Sequence, residues 1–148
     1  MSSAVLDKVH IVTGSASGMG LATAQTLLQR GAKIAACDIN EKNLEEFYNS
    51  LETAKKKVTL TGSVDLRNKG DLREFAQQAR SRFGSLHSVA NFAGTGDHEF
   101  GTESVWETGD DACELIMDMN LKKIFKSLSV VLSPGFLEPG ANVVHTFF

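Results

Sequence analysis

The sequence predicts an α/β fold, a doubly wound parallel sheet of about five strands covered by helices on both faces. Short apolar runs alternate with longer segments of helical period along all 148 residues. A glycine-rich turn separates the first apolar run from the first helical segment. No internal repeat, heptad or low-complexity tract competes with that alternation. The length is that of one domain, expected to span residues 1–148 around a single core.

Residues 8–12 form a mostly apolar run that stops at Thr13-Gly14, as a buried parallel strand would. Leu21, Ala24, Leu27 and Leu28 then recur at helical spacing until Gly31 ends the helix. Residues 33–38 read as a second buried strand. Leu44, Phe47, Tyr48 and Leu51 mark one face of an otherwise polar helix, and residues 57–61 read as the third strand. Leu72, Phe75, Ala76, Ala79 and Phe83 stripe the helix expected over 68–83, and residues 86–90 make strand four. Residues 91–102 form a glycine-rich polar loop, longer than a connector needs to be. A fourth, long helix is expected over about 103–132, with Trp106, Leu115, Met119 and Phe125 apolar and Gly109 interrupting its start. Two Pro-Gly pairs then turn the chain into a fifth strand over 141–147.

Composition excludes several classes. Hydrophobic residues make up 42% and charged residues 22%, with no apolar run long enough to span a membrane. A net charge of -3 argues against a binder of nucleic-acid backbone. Cys37 and Cys113 lie far apart without a CxxC spacing or a histidine pair, so they read as reduced thiols, and no metal site is expected. The first eight residues lack the pattern of a secretory leader, and the expected location is cytoplasmic.

The run Thr13-Gly14-Ser15-Ala16-Ser17-Gly18-Met19-Gly20 lies between a strand and a helix. That context suits a dinucleotide: glycine lets backbone approach a pyrophosphate, and the helix N-terminus presents unpaired N–H groups to the anion. Gly14, Ser15, Ser17, Gly18, Met19 and Gly20 are therefore candidate cofactor contacts. Asp38 ends the second strand, where a carboxylate can accept from an adenosine ribose, with Ile39 beside it. A carboxylate there repels a 2′-phosphate and no arginine stands nearby, which favours NAD over NADP. Asp38 would also serve as an N-cap for the next helix.

The spacing TGxxxGxG resembles the short-chain dehydrogenase/reductase family. Asp65-Leu66 after the third strand is similar to that family's adenine-contacting pair. Asn91-Phe92-Ala93-Gly94 resembles its Asn-Asn-Ala-Gly, departing at Phe92, and Asn120 matches the helix asparagine of its catalytic tetrad. The resemblance covers essentially the whole chain and implies a Rossmann-like sheet of order 3-2-1-4-5, NAD as cofactor, and contacts from Asp65, Leu66, Asn91, Ala93 and Gly94. It also implies a catalytic Ser after strand five and a Tyr-x-x-x-Lys beyond it. Neither is present: Phe147 and Phe148 fall over the serine pair, and the single tyrosine, Tyr48, has Glu52 four residues later. On this reading the protein is a family member truncated after strand five, its NAD site possessed but vestigial in use.

Three functions remain open. The first is a non-redox step on a small metabolite, an isomerisation, dehydration or cyclisation, with Asp97, His98 and Glu99 of the long loop, His145 of the last strand and Asn120 as candidate catalytic groups. His10 and His87 fall within strands and read as structural. The second is hydride transfer with the missing groups donated by a partner subunit. The third is a non-catalytic cofactor- or partner-binding module, or a splicing product. Strand five would be left as an unpaired edge and the fourth helix without its neighbour, so a homodimer or a complex with a full-length relative is expected through either.

Overall fold

The computed structural model describes residues 4–94, 104 and 106–146. Strand β1 (Val9–Thr13) is buried along its whole length, as its β-branched residues favour. Helix α1 (Gly18–Gln29) and strand β2 (Lys33–Asp38) follow, then helix α2 (Glu41–Ser50) and the short helix α3 (Thr53–Lys57). Strand β3 (Thr59–Ser63) leads into helix α4 (Lys69–Phe83) and strand β4 (Ser88–Asn91). Beyond the loop come helix α5 (Asp110–Met117), a π-helical turn (Asp118–Lys122), helix α6 (Lys123–Val131) and strand β5 (Asn142–His145).

All five strands are parallel, in the order β3-β2-β1-β4-β5. The expected order is therefore the observed one. Val9 opposes Lys33 on one side of β1 while His10 opposes Ser88 on the other. The chain leaves β1 toward β2 and β3, then crosses back to lay β4 on β1's free side. That reversal opens a crevice at the carboxyl ends of β1 and β4.

Alternation along the strands divides the core in two. Ile11, Ala35 and Val89 face Leu72, Phe75 and Ala76 of α4 and Val130 and Val131 of α6. Val12, Ile34 and Ala36 face Ala24 and Leu28 of α1 and Leu44 and Phe47 of α2. Small residues at 35 and 36 let the helices approach β2 closely on either side.

Several elements differ from expectation, among them the fourth strand, which spans Ser88–Asn91 rather than 86–90. The third strand begins two residues later than expected because 53–57 close into a helical turn whose last three lysines favour its negative end. The expected 103–132 helix is two α-helices joined through the π turn, and Gly109 is the N-cap of α5 rather than a break within it. Strand β5 ends at His145, with Val144 half exposed and β4 its one partner among the described strands. Trp106 and Phe125, read as apolar helix positions, are exposed, at 83% and 66%.

The amino end of the sheet holds a histidine pair. His10 is buried in β1, its Nδ1 2.5 Å from Ser88 Oγ, and its Nε2 has no partner. Just before β4, His87 Nδ1 accepts from Val9 N at 3.1 Å. Burial, and for His10 the neighbouring His87, hold both below the ordinary histidine value of about 6.5. Their unfolded forms bind protons more readily, so the stability they contribute is complete above that value and is lost as pH falls below it. Chemical denaturation from pH 7.5 to 5 is expected to show falling stability, and His10→Asn to shrink the fall; a pH-independent midpoint in the native chain would refute this.

Candidate functional site

The crevice at the β1/β4 switch point is a cavity of about 440 Å³, bounded by the glycine turn after β1 and the chain leaving β2, β3 and β4. Gly14 and Gly18 have φ of +69° and +52°, the left-handed region that glycine enters without penalty. Space matters as much as dihedral. A Cβ on Gly14 would lie 2.6 Å from Ala93 N, and one on Gly20 only 2.1 Å from Gly14 O. The turn is thus folded tightly onto both the first turn of α1 and the exit of β4.

First-turn N–H groups of a helix have no intrahelical acceptor, and in α1 these belong to Gly18, Met19 and Gly20, all on the cavity wall. The first turn carries no acidic residue that would compete for them. Ser17 is the N-cap, with no side-chain bond to the helix, and also lines the cavity. Ser15 does not: it is fully buried, its N donating to Cys37 O and its Oγ to Val12 O at 2.6 Å. Ser15 thus stands behind the wall, bracing the turn.

Asp38 stands at the end of β2 on the wall with Ile39. Its Oδ2 accepts from Ala16 N and its Oδ1 from Asn40 N, both at 3.0 Å. The carboxylate is held against the glycine turn, and each oxygen retains a lone pair for a further donor. Asp38 is not the cap of α2; Asn40 is, accepting from Asn43 N at 3.1 Å. Asp65 and Leu66 line the same cavity after β3. Arg67, unnoticed in the sequence, grips Asp65 through Nε and Nη2 and holds its carboxyl below the usual range.

Ala93, Gly94 and Phe92 continue the wall after β4. Asn91 is buried behind it as a tie between elements. Its Oδ1 accepts from Ser127 Oγ at 3.1 Å and Thr13 Oγ1 at 3.4 Å, and its Nδ2 donates to His145 Nδ1 at 3.1 Å. Burial lowers the pKa of His145. Neither Asn91 nor His145 is on the cavity wall, and Asn120 of the π turn is not there either. Asp97, His98 and Glu99, like Phe147 and Phe148, lie outside the described residues.

A second residue that the sequence reading missed is Lys123. It is 4% exposed at the start of α6, lines the cavity with Met119, and burial lowers its pKa to about 8 against the pull of Asp38 and Asp65. The available signal was the i, i+4 spacing Met119, Lys123, Ser127, a stripe whose last member is also buried.

A glycine turn at a helix N-terminus, an acidic residue ending β2 and a cavity at the switch point are the features of a Rossmann-type domain. Residues 8–146 match the short chain dehydrogenase family, and the chain belongs to it. It is 35% identical over 126 residues to the short-chain dehydrogenase/reductase aba4 of Botryotinia fuckeliana, covering 85% of this chain and 49% of that protein. It is 33% identical to the 2-(R)-hydroxypropyl-CoM dehydrogenase of Xanthobacter autotrophicus, covering 94% of this chain and 55% of the relative. The chain thus spans about half the length of the curated relatives it matches. The fold is similar to that of a Burkholderia phymatum short-chain dehydrogenase/reductase solved with NAD, at a TM-score of 0.80 and 21% identity over 95% of this chain and 49% of that one.

The Gly20 contact leads to a direct test. Gly20→Ala forces a methyl group into Gly14 O and should cost about 1–3 kcal/mol of stability, read by denaturant unfolding. Unchanged stability would show that the turn relaxes freely.

Proposed function

We propose that this chain is the dinucleotide-binding portion of an NAD(H)-dependent oxidoreductase. The observation that carries the reading is Asp38. Its carboxylate is fixed by two backbone N–H groups at the lip of the glycine turn, where it can accept from ribose hydroxyls of an adenosine. The cradle fits a pyrophosphate because the first-turn N–H groups of Gly18, Met19 and Gly20 have no intrahelical acceptor and these residues line the cavity.

Gly18, Met19 and Gly20 would present N–H groups to the phosphates, Asp38 would orient the ribose, and Ile39 and Leu66 would flank the base. The bound nicotinamide would supply the hydride acceptor or donor. Transfer to an alcohol or carbonyl also moves a proton, and Tyr48, the one tyrosine, is in α2 under Lys56 and off the cavity wall. The proton-handling groups on this reading come from outside these 148 residues. The relatives' names as dehydrogenases support hydride chemistry over a non-redox step.

A non-redox step rests on one observation, the Asn91–His145 hydrogen bond at the carboxyl ends of β4 and β5, which fixes an imidazole behind the cavity wall. In that case the nicotinamide absorbance would stay flat during turnover.

Exposed Leu121 and Phe125, one turn apart on the π turn and α6, support pairing with a second copy of the chain. Sedimentation should then give a dimer that Phe125→Glu converts to a monomer; a monomer binding no hydrophobic dye would count against it.

Calorimetric titration of the chain alone is expected to show NAD binding without turnover. Asp38→Ala should weaken NAD about tenfold, the scale of a lost charged hydrogen bond, and NADP less. Equal losses for both cofactors would remove the ribose assignment.

A further inference from the structure

The cavity holds two carboxylates and one ammonium, and they are not equivalent. Asp38 is satisfied by Ala16 N and Asn40 N, and Asp65 by Arg67. Among the described residues Lys123 has no hydrogen-bond or ion-pair partner, although it is 4% exposed. A buried ammonium without an acceptor is costly, and what exposure it retains is toward the cavity it lines.

Its position narrows the ligand group. With the ribose at Asp38, the base would lie toward Ile39, Asp65 and Leu66, which line the same cavity. Lys123 enters that end from the α6 side, coupled electrostatically to both Asp38 and Asp65. A 2′-phosphate would lie against the carboxylate of Asp38, whereas a purine ring brings acceptor nitrogens to the cavity wall without added charge.

Resting on the dinucleotide reading above, we propose that Lys123 is a specificity residue whose ammonium donates to an acceptor atom of the nucleobase. It completes a base subsite that a glycine turn and Asp38 alone do not provide. The charged form is the binding form. Burial brings its pKa to about 8, with Asp38 and Asp65 as the charged groups facing it and Arg67 countering Asp65. Affinity is therefore greatest below that value and falls as pH rises through it.

The test is calorimetry with NAD, NADP and AMP on the native chain and Lys123→Met, which keeps the length and removes the charge. Loss of one charged hydrogen bond predicts about tenfold weaker NAD and AMP binding at pH 7. Affinity should fall between pH 7 and 9 in the native chain and stay flat in the variant. Thermal stability should rise in Lys123→Met, because a desolvated charge is gone, so weaker binding cannot be ascribed to misfolding. Equal or tighter NAD binding by the variant overturns the proposal and makes Lys123 an obstruction in the cavity. A loss confined to NADP overturns it in favour of a phosphate contact. If the native chain binds none of the three ligands, the dinucleotide reading fails and this inference with it.

Discussion

The arrangement depends on how closely the turn after β1 packs against its surroundings. Gly20 approaches the carbonyl of Gly14, and Gly14 approaches the backbone at Ala93, at distances that leave no room for a side chain. These contacts pull the start of α1 over the ends of the strands, so that its first-turn N–H groups face the crevice. They also bring Ala16 within reach of Asp38, whose carboxylate links the turn to β2. The helix N-terminus and the carboxylate of Asp38 are thereby joined in one corner of the cavity. The sheet supplies the base for it, because β1 is buried throughout and paired on both sides.

Behind that corner lies a second tie. Asn91 connects β1, β5 and α6 through Thr13, His145 and Ser127. Its side chain stabilises the wall while Phe92, Ala93 and Gly94 form its surface. Ser15 plays the same part on the other side, satisfying Val12 O and leaving the cavity to Ser17 and Gly18. Residues of one motif thus divide between holding the cleft and lining it. Sequence spacing does not show that division, since strand alternation and the direction of each turn decide it.

Charge in the cleft follows from pairing. Asp65 is neutralised by Arg67 two residues on, a short-range contact set by the turn that leaves β3. Lys123 comes from a distant element, and its low exposure depends on how α6 lies over the sheet. The π turn just before it adds a residue to one helical turn, which offsets the downstream face by about 100°. A period counted from before the π turn misses that offset, although Lys123 and Ser127, both beyond it, keep the i, i+4 spacing. The reading of 103–132 as one helix therefore missed both the break and the inward lysine.

Much of this protein was legible in its residues. Alternating apolar runs and helical stripes dictate parallel strands with crossover helices, because each buried face needs a partner of matching period. Glycines at 14, 18 and 20 in a strand-to-helix turn, with Asp38 twenty residues beyond, mark the corner that lines the cavity through local chemistry alone. What tertiary structure decided is which candidates meet there. Asp38 and Met19 reach the cavity, Ser15 and Asn91 stand behind it, Asn120 and His145 lie off its wall, and Lys123 enters it from a helix far along the chain. Local propensity acts between neighbours, whereas burial and unpaired charge arise only when distant elements pack together.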